Sequence, residues 1–227
     1  WYTKEFEAPE AWRGKKVILE FEGVYMNAEV WLNENLLGRH PYGYTTFTYD
    51  LTPYLKPGAK NKLVVKVDNS AQTNSRWYSG SGIYRPVWLY TAEPVHAAHW
   101  GIAVTTPEIT PAQAAVRIET KIENDGAIAR EAVLESLLFA PDGSLAASGQ
   151  AQRVIQPGGS EVFVQDLQVR SPLLWSPEAP SLYRLETVCR AEGQAEDTQT
   201  TLFGIRSLEF SAEKGFLLNG KPVLLKG

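Results

Sequence analysis

Apolar and polar side chains alternate at every second residue along most of this chain, and a backbone that has to satisfy that rhythm has few choices. In Lys62-Leu63-Val64-Val65-Lys66-Val67-Asp68, the residues Leu63, Val65 and Val67 fall on one face of an extended segment, while Lys62, Lys66 and Asp68 fall on the other. The reason is geometric: successive Cβ atoms of a strand point to opposite sides. Val17, Leu19 and Phe21 repeat the pattern against Glu20 and Glu22, and Val116, Ile118 and Ile122 repeat it against Arg117, Glu119, Lys121 and Glu123. Strands with one apolar and one wet face belong to antiparallel sandwiches, not to parallel sheets buried on both sides. The chain is therefore expected to be all-β. Turn signals at Asn33-Glu34-Asn35, Lys56-Pro57-Gly58, Asp125-Gly126, Pro141-Asp142-Gly143 and Pro157-Gly158-Gly159 fall between the strands and can close hairpins or link two sheets.

A length of 227 residues allows one or two domains. The stretch from Ala92 to Pro111 carries Pro94, Pro107 and Pro111, which places a junction near Glu93. About seven strand candidates then run to Gly204, the size and rhythm of an immunoglobulin-like sandwich without its disulfide. Cys189 is the one cysteine, so no internal disulfide can form, and its place on an inward strand face predicts an inert core thiol.

Lys and Arg number 22 against 26 Asp and Glu, a net charge of −4 with no basic block, which excludes the electrostatic footprint of a nucleic-acid binder. No apolar run approaches the roughly 20 residues of a membrane helix, so no membrane partner is expected. With no leader peptide visible and Met26 as the one methionine, the natural N-terminus is expected to lie upstream, and the compartment stays open.

Several motifs imitate ligand sites. Gly215-Phe216-Leu217-Leu218-Asn219-Gly220-Lys221 fits the skeleton of a phosphate loop, but Pro222 stands where a magnesium-binding hydroxyl belongs. Asn219-Gly220 between Leu218 and the following strand reads instead as a tight hairpin turn. Gly80-x-Gly82 leads to Arg85 with no third glycine, so a dinucleotide fingerprint fails. His96-x-x-His99 lacks the further ligands that zinc wants, since His40 and Cys189 bear no spacing relation to it. Ordinary hydrogen bonds at a junction are the expectation for that pair, and no metal ligand is assigned. The acidic residues mostly occupy wet strand faces (Glu20, Glu22, Glu119, Glu123) or turns (Asp125, Asp142), so none is expected to be catalytic.

Arg76-Trp77-Tyr78-Ser79-Gly80-Ser81-Gly82-Ile83-Tyr84-Arg85 is different. Small residues leave the large rings uncovered, and rings with polar tips offer sugars a flat apolar face with a hydrogen-bonding handle. Trp31, Trp88 and Trp175 are expected in the core, because burying a large side chain contributes roughly 1.5 to 3 kcal/mol.

Taken in order, Trp1-Tyr2, Trp12-Arg13-Gly14-Lys15, Phe21-Glu22-Gly23-Val24, Val30-Trp31-Leu32-Asn33, Gly43-Tyr44-Thr45, Asp50-Leu51-Thr52, Val67-Asp68-Asn69, the Arg76 to Arg85 run, Leu174-Trp175-Ser176-Pro177, Gly204-Ile205-Arg206 and Gly215 to Pro222 resemble the non-catalytic N-terminal half of a glycoside hydrolase family 2 enzyme, with the β-galactosidase branch most similar. The resemblance implies a jelly-roll β-sandwich, a sugar-binding domain over residues 1–92 lacking its opening strand or strands. It implies next an immunoglobulin-like β-sandwich over 93–204, and over 205–227 the lead-in to a (β/α)8 catalytic barrel beyond this sequence. That barrel carries the family's two glutamates, so no catalytic residue is expected here and the chain alone is expected to be inactive. In the intact retaining enzyme the partners implied are a terminal β-galactoside and the chain's own barrel. Arg76 and Trp77 are the candidate substrate-binding residues at the site's edge. In the family the loop before that tryptophan can bring a carboxylate to the sugar and to a nearby cation; Asn74-Ser75-Arg76 stands there instead. No cofactor is expected in this chain, with room left for a divalent or monovalent cation in the intact enzyme and for a homo-oligomer.

Overall fold

A computed structural model describes residues 1–71 and 79–225. Residues Trp1–Glu93 and Pro94–Gly227 form two separate compact units, and the described secondary structure of both is strand apart from one short 3-10 turn at Glu10–Trp12. Each apolar stripe read from the sequence has found a facing sheet.

In the first unit the strands are β1 (Tyr2–Glu7), β2 (Lys16–Phe21), β3 (Val24–Tyr25), β4 (Ala28–Leu32), β5 (Asn35–His40), β6 (Phe47–Asp50), β7 (Lys60–Lys66), β8 (Gly82–Ile83) and β9 (Val87–Ala92). They assemble as a four-stranded sheet in the order β1-β7-β4-β5, a three-stranded sheet β6-β2-β9 and a two-stranded ribbon β3-β8. The described pairings are antiparallel. Val17, Leu19 and Phe21 pack with Val30, Leu32 and Val65 in one buried cluster, joined at its margin by Leu63, Val67 and Leu89. The β4–β5 hairpin turns at Asn33 and Glu34, both at positive φ (47° and 72°), the mirror-image turn whose twist suits a two-residue hairpin.

The second unit holds β10 (Val95–Ile109), β11 (Gln113–Asn124), β12 (Arg130–Phe139), β13 (Leu145–Ile155), β14 (Ser160–Arg170), β15 (Tyr183–Ala191) and β16 (Asp197–Phe203). Sheet β10-β11-β14 faces sheet β13-β12-β15-β16, an arrangement of three strands against four. Ala114, Val116 and Ile118 meet Leu138, Leu185 and Tyr183, and Ile122 meets Leu134, Phe163 and Cys189. At one end the sheets are tied by glutamines. Gln194 exchanges two hydrogen bonds with the Val95 backbone (3.0 and 2.7 Å), and Gln199 Nε2 donates to Ala97 O (2.8 Å). A last hairpin, β17 (Leu208–Ser211), β18 (Gly215–Leu218) and β19 (Lys221–Pro222), closes the described chain. Asn219 and Gly220 both sit at positive φ (51° and 73°), so this segment is a hairpin turn, not a phosphate loop.

Five residues depart from the one-dimensional pattern. Trp88 is 48% exposed and Trp31 is only half-buried, because register puts them on the outer faces of β9 and β4 while Leu89, Val30 and Leu32 take the inner ones. Glu20, expected to be wet, is 4% exposed: it lies on the central strand β2 between its cross-strand partners Thr48 and Trp88. Pro107 lies within β10, where the pairing with β11 shifts register between Thr105 and Glu108. A proline cannot donate to the ladder and is tolerated at such a bulge. Trp175 is likewise only half-buried and lies outside the described core clusters, its side chain against Gly204 and its ring 5.0 Å from the Arg206 guanidinium.

Cys189 is fully buried, and desolvation, with Asp197's charge adding to it, pushes its thiol up to about 12. A thiolate-selective reagent at neutral pH is therefore expected to leave it unmodified until denaturant unfolds the second unit. Leu134→Ala, at a fully buried position, is expected to cost about 2 to 5 kcal/mol in urea melts.

Candidate functional site

Arg76 and Trp77 lie in segment 72–78, outside the described residues. The described chain on either side of that segment, together with the 41–46 connection between β5 and β6, is rich in tyrosine. Tyr25 at the end of β3 is buried and meets Tyr44 edge-on at 5.2 Å; Tyr44 in turn meets Tyr42 at 5.6 Å. Tyr42, Tyr44 and Tyr84 stay about half exposed.

Small residues make this packing possible. A Cβ at Gly43 would overlap the Tyr25 ring, and one at Gly23 would fall 2.6 Å from Tyr84 Cζ. Gly82, at φ 110°, has backbone open to few L-residues and Tyr2 where a side chain would go. Hydrogen bonds then fix the orientation. Tyr84 Oη donates to Gly43 O (2.8 Å), Tyr44 Oη lies 3.3 Å from Ser79 Oγ, and Asn69 Nδ2 donates to Ser81 Oγ (2.8 Å). Both flanks of the 72–78 segment are thus pinned, at Asn69 and at Ser79 to Ser81.

The titratable groups here are set by near neighbours. Asp68 accepts from the Ser70 hydroxyl (2.6 Å) and amide (3.0 Å), which hold its carboxyl below the usual range. An ionised carboxylate can accept from sugar hydroxyls or face a cation, but it cannot protonate a leaving group. His40 stacks on Phe47 at 4.2 Å with Nε2 3.0 Å from Thr45 Oγ1, and burial lowers its pKa against an opposing backbone hydrogen bond at Tyr42. Exposed phenol rings with serine and asparagine handles are a surface suited to carbohydrate.

The first unit has two further aromatic surfaces. Trp1 stacks on Trp31 at 5.7 Å beside Lys56, Lys62 and Glu34, in an open recess of about 440 Å³. On the outer face of β9, Trp88 Nε1 donates to Glu22 Oε1 (2.7 Å); nearby Tyr90 has its phenol raised by burial and by the charges of Glu20 and Glu22.

The family model described as "Glycosyl hydrolases family 2, sugar binding domain" matches residues 1–93, and that described as "Glycosyl hydrolases family 2" matches residues 101–206. The chain belongs to glycosyl hydrolase family 2. Over its whole length it is 42% identical to β-galactosidase BoGH2A of Bacteroides ovatus and 41% identical to a putative β-glucuronidase of Formosa agariphila. It spans about a quarter of these proteins, 27% and 21% of their lengths. A family 2 member from Bacteroides cellulosilyticus superposes with a TM-score of 0.93 at 36% identity, over 97% of this chain and 30% of that one.

Tyr25 and Tyr42 were not singled out from sequence, since neither alternates with a polar neighbour in a way that marks a site. Gly43-Tyr44-Thr45 was visible as a family pattern, but its role in seating Tyr25 was not. His96, expected to be hydrogen bonded, has no hydrogen-bond partner at either ring nitrogen among the described residues.

Gly43→Ala is expected to destabilise the first unit by about 1 to 3 kcal/mol through overpacking against Tyr25, read from urea midpoints. Because His40 is depressed when folded, its contribution is present above its ordinary value of 6.5 and lost as pH falls through the folded pKa. His40→Gln is therefore expected to flatten the loss of stability between about pH 7.5 and about pH 5.5.

Proposed function

We propose that this chain is the non-catalytic N-terminal part of a retaining β-galactosidase-type glycosidase, bracing the catalytic barrel and shaping the edge of its sugar site. The observation that carries the reading is the tyrosine edge formed by Tyr25, Tyr42, Tyr44 and Tyr84, which meets Ser79, the first described residue after the segment that carries Arg76 and Trp77 in the sequence. A β-galactosidase among the relatives, with the Arg76 to Arg85 sequence, supports the galactoside branch. The intact protein would cleave a terminal β-linked sugar through a covalent glycosyl intermediate, using two carboxylates supplied by the barrel. A metal or other cofactor is not assigned to this chain's part in that reaction.

A β-glucuronidase is the second reading of the same architecture, favoured by the relative at 41% identity. A third, a free-standing carbohydrate-binding module, is favoured by the stacked Trp1–Trp31 pair in its recess. Parallel assays of the full-length parent on aryl β-galactoside, β-glucuronide and β-mannoside separate the first two. Preferential galactoside cleavage is expected, and preference for another glycoside overturns the branch while keeping the architecture. The 227-residue chain alone is expected to hydrolyse none of the three. Reproducible turnover by a pure preparation, lost on mutating a residue within it, would overturn the non-catalytic role. Trp77→Ala in the parent is expected to raise KM for the galactoside; saturable sugar binding by the chain alone, abolished by Trp31→Ala, would favour the binding module.

A further inference from the structure

We propose that His96, Glu123 and Asp125 form a divalent cation site of the zinc type in the second unit. The anchor is a buried imidazole with nothing to bond to. His96 is 1% exposed, and neither Nδ1 nor Nε2 has a hydrogen-bond partner among the described residues. An imidazole nitrogen removed from water without a partner is costly, and such groups call for an explanation.

Its surroundings supply one. His96 on β10 is paired directly opposite Glu123 on β11, so the two side chains share one face of the sheet. Its Nε2 lies 4.0 Å from Glu123 Oε2 and 3.9 Å from Asp125 Oδ2, too far for hydrogen bonds. One ligand atom from each of the three residues lies within 4.8 Å of the others. Around a four-coordinate zinc, with bonds of about 2.0 to 2.2 Å, neighbouring ligands sit roughly 3.3 Å apart. The carboxylates would therefore have to close on the imidazole by about 0.6 Å. Both are partly exposed, with Glu123 at 30% and Asp125 at 37%, which gives them room to move and gives an ion a route in from solvent.

The turn beneath is held by hydrogen bonds. Asn124, between the two acids, is buried and donates to Ile128 O (2.9 Å) and Ile155 O (3.0 Å), while its Oδ1 accepts from the Gly126 amide (2.9 Å). The Asp125 amide is held by Pro94 O at 2.8 Å. That clamp sets Asp125 just past the end of β11 with its carboxylate toward His96. Lys121 occupies only Glu123 Oε1 (2.5 Å), leaving Oε2 for the metal. One neutral imidazole with two carboxylates is a ligand set suited to zinc, with water completing the shell. The sequence concealed the site because its ligands come from two strands, joined by register and not by a spacing motif.

The test is equilibrium dialysis of the chelator-treated full chain against zinc at neutral pH, with bound metal counted, beside His99→Gln, Glu123→Gln and Asp125→Asn. One zinc per chain is expected in the wild type and in His99→Gln. Each carboxamide variant is expected to bind at least about tenfold more weakly, since even loss of a residue supporting a ligand costs 10 to 100-fold. Both variants keep side-chain shape at partly exposed positions, and a cooperative melt with unchanged circular dichroism confirms that each is folded. No zinc above the buffer control, or binding that both carboxamide variants retain, would overturn the proposal. So would an NMR titration showing His96 to be a cation held by Glu123 and Asp125 and unperturbed by zinc. None of these outcomes bears on glycosidase activity, so this site and the proposed function stand or fall separately.

Discussion

Antiparallel pairing in fixed register is the constraint on which the rest of this molecule depends. Along β11, eleven consecutive residues from Gln113 to Glu123 pair with β14 without a shift. Ala114, Val116, Ile118 and Ile122 must then face inward together, because slipping the ladder by one residue would turn them all outward. The same ladder carries the Arg117–Asp166 pair on the solvent side, bidentate at 2.9 and 3.1 Å and well exposed, so its contribution to stability is small. With Cys189 as the one cysteine, packing and hydrogen bonds hold both sandwiches without an internal disulfide.

Register also builds features that packing by itself would disfavour. It places Glu20 on β2 under Trp88 of β9, and His96 on β10 beside Glu123 of β11. Both are buried polar groups, and both lie opposite residues chosen by the ladder, not by sequence proximity. Inside the second unit, Ser136 Oγ donates to Gln165 Oε1 at 2.6 Å across the sandwich, a buried polar tie between the two sheets. Such ties cost desolvation and return orientation, since a hydrogen bond between sheets tolerates less sliding than an apolar contact.

The tyrosine edge of the first unit follows a different logic. Its rings are seated by absent side chains, at Gly23 and Gly43, so bulky groups can approach backbone closely. The outcome is a surface whose hydroxyls are already oriented by Gly43 O and Ser79 Oγ. Rings held in this way lose little further freedom when a ligand arrives. Packing of the rings and the orientation of their exposed hydroxyls therefore draw on the same residues, which is why Gly43 matters to both.

The sequence by itself determined the strand class, because a period of two admits no helix, and it placed the turns at Asn33-Glu34 and Asn219-Gly220 through residues that accept positive φ. It also carried the family, through the order of short motifs spread along the chain. The immunoglobulin-like strand count and the buried Cys189 were legible for the same reason: alternation reports which face is inward. Only tertiary structure decided which sheet face each tryptophan joined, since alternation relates Trp88 to Leu89 but does not say which of them meets the core. It alone brought Tyr25 to Tyr44, and His96 to Glu123 and Asp125. Such contacts depend on long-range pairing between strands, and local periodicity contains no term for the partner.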